Sequence, residues 1–266
     1  MSTYLDRILA SHRAAAAADD RDLAELMAAA REAPVAVRPF AAALAAASHR
    51  LGEGSGVAVI AEIKRRSPSK GDFGVDLVAD VMAKAYADGG AAGLSVLTDR
   101  DFFGGSAEDL AVARRASGLP VLRKDFTVCE ADVCDARLMG ADAVLLIVAA
   151  LSRSDLRRLA GLAGELGLDA LFEVHDEPEL DAAIGAGAVL VGVNQRDLVT
   201  FEVDTRRAER VVTAMPLEVV RVAESGITGP GDARRLADAG FDAVLVGESL
   251  VRSSDPRDAV AALRTA

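Results

Sequence analysis

Four times in the second half of the chain a glycine runs directly into an apolar stretch: Gly140-Ala-Asp-Ala-Val-Leu, Gly167-Leu-Asp-Ala-Leu-Phe, Gly187-Ala-Val-Leu-Val and Gly240-Phe-Asp-Ala-Val-Leu. Glycine suits the end of a helix because the residue after the last turn often takes a positive φ. The repeat therefore reads as helix, cap, strand, at roughly the 20 to 30 residues of one βα unit. Extending the pattern gives eight strands, predicted at Val57–Ile63, Gly93–Leu97, Pro120–Arg123, Ala143–Ile147, Ala170–Val174, Val189–Val193, Val219–Ala223 and Ala243–Val246. Runs that are apolar on both faces of the pleat belong to a parallel sheet covered by helices. With 266 residues and 51% hydrophobic content, eight such units favour closure into a (β/α)8 TIM barrel over an open doubly wound sheet, because that barrel takes roughly 250 residues as one domain.

Residues 1–50 are rich in alanine and read as helices, with Leu5, Ile8 and Leu9 on one face, Leu23, Leu26 and Met27 on another, and Pro34 and Pro39 as breaks. They are expected as a helical extension to a barrel spanning 57–266, within a single domain and with no linker.

The formal net charge of -11 disfavours a nucleic-acid or acidic-membrane partner, since the field of the whole molecule repels polyanions. Cationic chemistry must be local. Cys129 and Cys134 lack metal or redox spacing and read as free thiols of a cytoplasmic protein. The apolar run Ala143–Leu151 is far short of the roughly 18 residues of a membrane span, and no export segment is expected.

In a barrel of this kind the polar residues at the C-terminal ends of the strands face the active site. Those ends carry Glu62 and Lys64, Lys124 and Asp125, Glu173, Asn194, and Glu224 with Ser225. Alternation along a strand puts Glu62 and Lys64 on one side of the pleat. Any one of them could be a salt-bridged barrel-end residue, but five strands ending this way point to acid–base chemistry by coupled lysines and carboxyls. Gly226 after the seventh strand and Gly247 after the eighth let backbone N–H groups approach an anion, where barrels commonly hold phosphate. The basic run Lys64-Arg-Arg-Ser-Pro-Ser-Lys-Gly follows a strand in an acidic protein and reads as a mobile loop closing over a phosphorylated ligand. His175 is expected to point away from Glu173 as a structural histidine, His12 and His49 carry no motif, and no metal or organic cofactor is implied.

Ile60-Ala-Glu-Ile-Lys-Arg-Arg-Ser-Pro-Ser-Lys-Gly closely resembles the first-strand signature of the indole-3-glycerol phosphate synthase family. The resemblance continues through Ser95-Val-Leu-Thr-Asp with Phe102-Phe-Gly-Gly-Ser, Leu122-Arg-Lys-Asp-Phe, Phe172-Glu-Val-His-Asp-Glu, Gly192-Val-Asn-Gln-Arg-Asp-Leu, Ala223-Glu-Ser-Gly-Ile and Leu245-Val-Gly-Glu-Ser-Leu, from about residue 58 to 256. It implies a carboxy-lyase of tryptophan biosynthesis that closes the ring of 1-(2-carboxyphenylamino)-1-deoxyribulose 5-phosphate with loss of carbon dioxide and water. By the same resemblance Lys124 is the general acid, Lys64 anchors the substrate carboxylate, and Glu173 shares the dehydration with one of the two lysines. Glu62 and Asn194 orient the reacting groups, and Glu224 and Ser225 complete the mouth. Ser67, Gly226, Gly247 and Glu248 match phosphate positions, Arg196 supports the site, and Pro68, Phe103, Phe126 and Leu198 wall the slot for the aromatic ring.

Ala131-Asp132, Gln195 and Arg66 depart from the family pattern, and they leave room for a specialised paralogue. The alternatives are another phosphosugar barrel isomerase and a catalytically silent barrel kept as a binding subunit. Phosphoribosylanthranilate isomerase looks for a Cys base on strand one and an Asp acid on strand six, where this chain has Glu62 with Lys64, and Asn194. The expected partner is a small anionic phosphorylated substrate; a monomer is expected, with a weak dimer as the alternative.

Overall fold

All eight apolar runs pair in parallel and close on themselves, the first strand bonding to both the second and the last. The strands of this computed structural model are β1 (Ala58–Ile63), β2 (Gly93–Leu97), β3 (Val121–Lys124), β4 (Ala143–Ile147), β5 (Asp169–Val174), β6 (Leu190–Asn194), β7 (Val220–Glu224) and β8 (Ala243–Val246). The structure describes residues 3–51, 56–67, 71–73, 77–197 and 199–265. Each predicted strand lies within one or two residues of an observed one. Pro120 falls outside β3 because it has no N–H for the ladder; its carbonyl still accepts from Leu94 N at 3.0 Å. Lys124, Asn194 and Glu224 are the last residues of their strands rather than the first of the loops, which fixes their direction by the pleat.

The repeated glycines have φ of +86° at Gly140, +77° at Gly167, +88° at Gly187 and +99° at Gly240, as a left-handed cap requires. After three of them, all but Gly187, an aspartate two residues later serves the next layer of structure. Asp142 accepts from Val121 N at 2.9 Å and Arg38 N at 2.7 Å, Asp169 from Ala41 N at 2.9 Å, and Asp242 from Arg221 N at 2.9 Å. These carboxylates satisfy backbone donors at the N-terminal rim, where buried N–H groups would otherwise lack partners.

Two apolar layers result. One lies between the barrel wall and the surrounding helices. The other fills the barrel with Ile60, Leu122, Leu145, Leu171, Leu190 and Leu245, to which helix α3 (Phe40–Leu51), coming after α1 (Tyr4–Ala17) and α2 (Leu23–Arg31), adds the fully buried Phe40 and Leu44 as a plug. Burying two such side chains contributes on the order of 3–6 kcal/mol. Gly93 permits the plug, since a methyl group there would lie 3.0 Å from the Phe40 ring.

The described parts of the run after β1 make defined contacts. Arg66–Ser67 pairs antiparallel with Gly71–Asp72, and the Arg65 guanidinium bonds Asp109 Oδ1 at 2.7 Å. Both arginines are tied to the body of the protein, because the Arg66 guanidinium also bonds the Arg100 carbonyl at 2.9 Å. Pro68, like Leu198, lies outside the described residues.

Candidate active site

The C-terminal mouth opens into a cavity of about 550 Å³, and every predicted site residue among the described ones lines it: Glu62, Lys64, Ser67, Phe103, Lys124, Phe126, Glu173, Asn194, Arg196, Glu224, Ser225, Gly226, Gly247 and Glu248. Lys64, Lys124 and Glu173 thus share one space. Lys124 Nζ sits between two carboxylates, 3.0 Å from Glu173 Oε2 and 3.5 Å from Glu224 Oε2. Asn194 Nδ2 donates to the other oxygen of Glu173 at 3.0 Å. Lys64 Nζ bonds Glu62 Oε1, whose second oxygen accepts from Ser95 Oγ at 3.3 Å. All three glutamates are nearly inaccessible to solvent.

Three carboxyls against two ammoniums leave one negative charge in excess, and burial decides where it is relieved. Burial alone would raise all three carboxyls. At Glu62 the charges of Lys64 and Lys124 outweigh it and lower the pKa. At Glu173 burial is outweighed by Lys124, His175 and the Asn194 hydrogen bond, again lowering it. Glu224 is the odd one out: burial pushes it up, Lys124 only partly offsets this, and the charges of Glu173 and Glu62 push further, to about 7. Burial would lower Lys124, but Glu173, Glu224 and Glu62 hold it above its ordinary value. At neutral pH the site therefore offers a protonated lysine, an ionised Glu173 and a Glu224 that can exist in either state.

Two glycines make room for these groups. A methyl at Gly192 would meet Glu224 Oε1 and one at Gly247 would meet Glu62 Oε1. Ser225 has φ +66°, unusual for a residue with a side chain, and Gln195 Nε2 clamps its carbonyl at 2.7 Å. The departure at Gln195 thus has a structural use. So does Asp132, whose carboxylate accepts from Val128 N at 2.8 Å and Cys129 N at 3.1 Å and caps the helix Glu130–Met139. Phe103 and Phe126 lie 6.2 Å apart as two walls of an apolar slot, and Arg196 is held by the Phe201 carbonyl at 3.0 Å.

Sequence reasoning allowed the N-terminal helices to cap or flank the barrel but did not name the residues that roof the cavity. Tyr4, Leu5 and Ile8 of α1 line the cavity, and His12 on the same helix bonds Asp99 Oδ2 at 2.8 Å while its ring lies 5.3 Å from Phe126. The Leu5, Ile8 and Leu9 stripe was the available signal, but a stripe alone does not say which surface it covers. Thr228, Ser249 and Arg252 also line the cavity beside the predicted phosphate loops. The expectation that His175 points away from Glu173 is corrected: Nε2 lies 3.9 Å from Glu173 Oε1, because residues two apart along an extended chain share a face, and Glu179 holds the ring there, with Nδ1 at 3.0 Å.

Among the described residues, His12, Asp99 and Asp125 have potential ligand atoms within 4.8 Å of one another. Their oxygens are already engaged: Asp125 by Arg123 at 3.0 Å and by Thr98, Asp99 by Phe102 N at 2.6 Å. The group reads as an ion-pair network holding α1 to the mouth.

A closed parallel barrel with lysines and carboxyls converging at the C-terminal ends of its strands defines a TIM-barrel enzyme of the acid–base kind. Solved structures agree on the fold: thiamine phosphate pyrophosphorylase from Pyrococcus furiosus matches with a TM-score of 0.58 at 17% identity, over 79% of this chain and 94% of that one. The sequence model of the indole-3-glycerol phosphate synthase family matches residues 5–263. The indole-3-glycerol phosphate synthase of Mycobacterium avium is 48% identical over all of this chain and 95% of its own length, and that of a Nocardioides species is 53% identical over 77% and 79%. The chain belongs to the indole-3-glycerol phosphate synthase family.

Proposed function

We propose that the chain closes the indole ring of 1-(2-carboxyphenylamino)-1-deoxyribulose 5-phosphate, releasing carbon dioxide and water and leaving indole-3-glycerol phosphate. The observation that carries this reading is the convergence of Lys64, Lys124 and Glu173 on a single cavity. The carboxyl-bearing ring carbon attacks the ketone, and charge builds on the ketone oxygen. Lys124, fully protonated between Glu173 and Glu224, supplies the proton that makes that oxygen a hydroxyl. The ring carboxylate then leaves as carbon dioxide, and its electron pair restores aromaticity.

Dehydration needs an acid for the departing hydroxyl and a base for a proton of the newly closed ring. Glu173, ionised, takes that proton. Lys64, paired with Glu62, gives one to the hydroxyl, so the step is balanced in protons, and before that the same ammonium faces the substrate carboxylate. Phe103 and Phe126 align the aromatic ring, and an apolar slot favours loss of charge as the carboxylate departs. The phosphate lies against the loops after β7 and β8, at Gly226, Gly247 and Glu248, with Ser67 opposite. A single chain supplies every group in this scheme, which supports a monomer; the unpaired Cys129 and Cys134 fit a cytoplasmic enzyme of tryptophan biosynthesis. The test is turnover: purified protein with the anilino-deoxyribulose phosphate should produce indole fluorescence without added metal or nucleotide, and no product at micromolar enzyme would overturn the reading.

A further inference from the structure

His175 sits just past the end of β5, two residues beyond Glu173, and the helix Glu177–Gly185 faces it with Glu179. One oxygen of Glu179 accepts from His175 N at 2.7 Å and pairs with Nδ1 at 3.0 Å. The ring is therefore fixed at both its backbone and one nitrogen. Its other nitrogen, Nε2, is buried, has no hydrogen-bond partner among the described residues, and lies 3.9 Å from Glu173 Oε1. That oxygen already accepts from Asn194, while Lys124 holds the second one.

A neutral imidazole donating from Nδ1 to Glu179 would turn the Nε2 lone pair toward the Glu173 carboxylate, negative against negative. An imidazolium presents an N–H there instead. Two carboxylates thus select the charged ring, and by linkage the charged ring selects ionised Glu173. We propose that His175 is a positioning residue for the base of the dehydration step: Glu179 aims its imidazole at Glu173, and the proton on Nε2 keeps Glu173 ready to accept another. The proposal rests on the assignment of Glu173 as that base.

The charged groups facing the ring are Glu179 from the following helix, Glu173 from β5 and Arg207 from the helix Arg207–Val212. Burial favours the neutral ring, but the Glu179 hydrogen bond and the charges of Glu173 and Glu179 outweigh both burial and Arg207, so the imidazole titrates above its ordinary value.

Two measurements on the full chain test this. In the pH profile of kcat/KM, His175→Gln should move the acidic limb up by about one unit and leave the rate on the alkaline side close to that of the parent. Glu179→Gln should move it the same way by less. A histidine that only supports packing would lower the rate equally at every pH, and that result, or an unmoved limb, would overturn the proposal. NMR titration of labelled histidines gives the second readout: with three histidines in the chain, His175→Gln identifies the resonance and Glu173→Gln should lower its titration point. An unchanged titration point would also overturn it. A lowered titration point in a Glu173→Gln protein of full activity would support the link between the two residues while removing Glu173 as the base.

Discussion

Gly192 on β6 leaves the space that Glu224 on β7 occupies: a methyl group on Gly192 would lie 2.0 Å from Glu224 Oε1. The carboxyl stands beside Lys124 because its neighbour has no side chain. Gly192→Ala is expected to cost about 1–3 kcal/mol from overpacking and to lower kcat/KM by about a hundredfold through misplacement. Circular dichroism should still show the folded barrel. Full activity in the alanine variant would mean that Glu224 has no part in the chemistry.

Lys124→Met keeps most of the volume of the side chain and removes its charge. If the lysine gives its proton to the ketone oxygen only as the ring closes, kcat should fall by about 10²–10⁴-fold with KM little changed. Steady-state fluorescence assays separate the two constants, and an equal rise in KM with kcat intact would place the lysine in binding alone.

Glu224 makes stability depend on pH. Its folded pKa, about 7, lies above the ordinary 4.5, so the folded chain binds more protons than the unfolded one between those values, and this carboxyl lowers stability as pH rises through that window. Glu224→Gln removes the contribution. Melting curves at pH 5 and pH 8 should show the wild type losing more on this step than the variant; parallel losses would show that Glu224 titrates normally.

Asp142 is fully buried at the N-terminal rim and holds Arg114 at 2.9 Å together with the backbone donors of Val121 and Arg38. Asp142→Ala takes the carboxylate from a half-buried guanidinium and the acceptor from two N–H groups and is expected to cost about 3–5 kcal/mol. The rim lies at the opposite end from the cavity, so specific activity of the protein that remains folded should be unchanged. Urea titration measures the loss, and a midpoint within error of the parent would refute it.

The barrel was legible because its signals are local: the cap glycines, the apolar runs and the polar residue ending each run all lie within a few residues of one another. The identities of Glu62, Lys64, Lys124, Glu173 and Glu224 as neighbours followed from strand order alone. The states of those groups did not, since Glu62 and Glu224 are the same residue type with opposite shifts: two lysines outweigh burial at Glu62, whereas at Glu224 burial and two neighbouring carboxylates outweigh one. His175 was legible but misread: residues two apart on a strand share a face, as Glu62 and Lys64 do, so the spacing itself puts His175 on the side of Glu173. His12 offered no sign at all, because Asp99 lies 87 positions away in the chain.

The first fifty residues reach both ends of the barrel, α3 filling the floor with Phe40 and Leu44 while α1 lays Tyr4, Leu5 and Ile8 over the mouth. Both surfaces belong to the closed ring, whose seam is the pairing of β8 with β1. One alanine-rich segment, with few large apolar groups, thus couples the packing of the floor to the cover of the mouth, so a change at Phe40 and a change at Tyr4 act on the same fifty residues from opposite ends of the barrel.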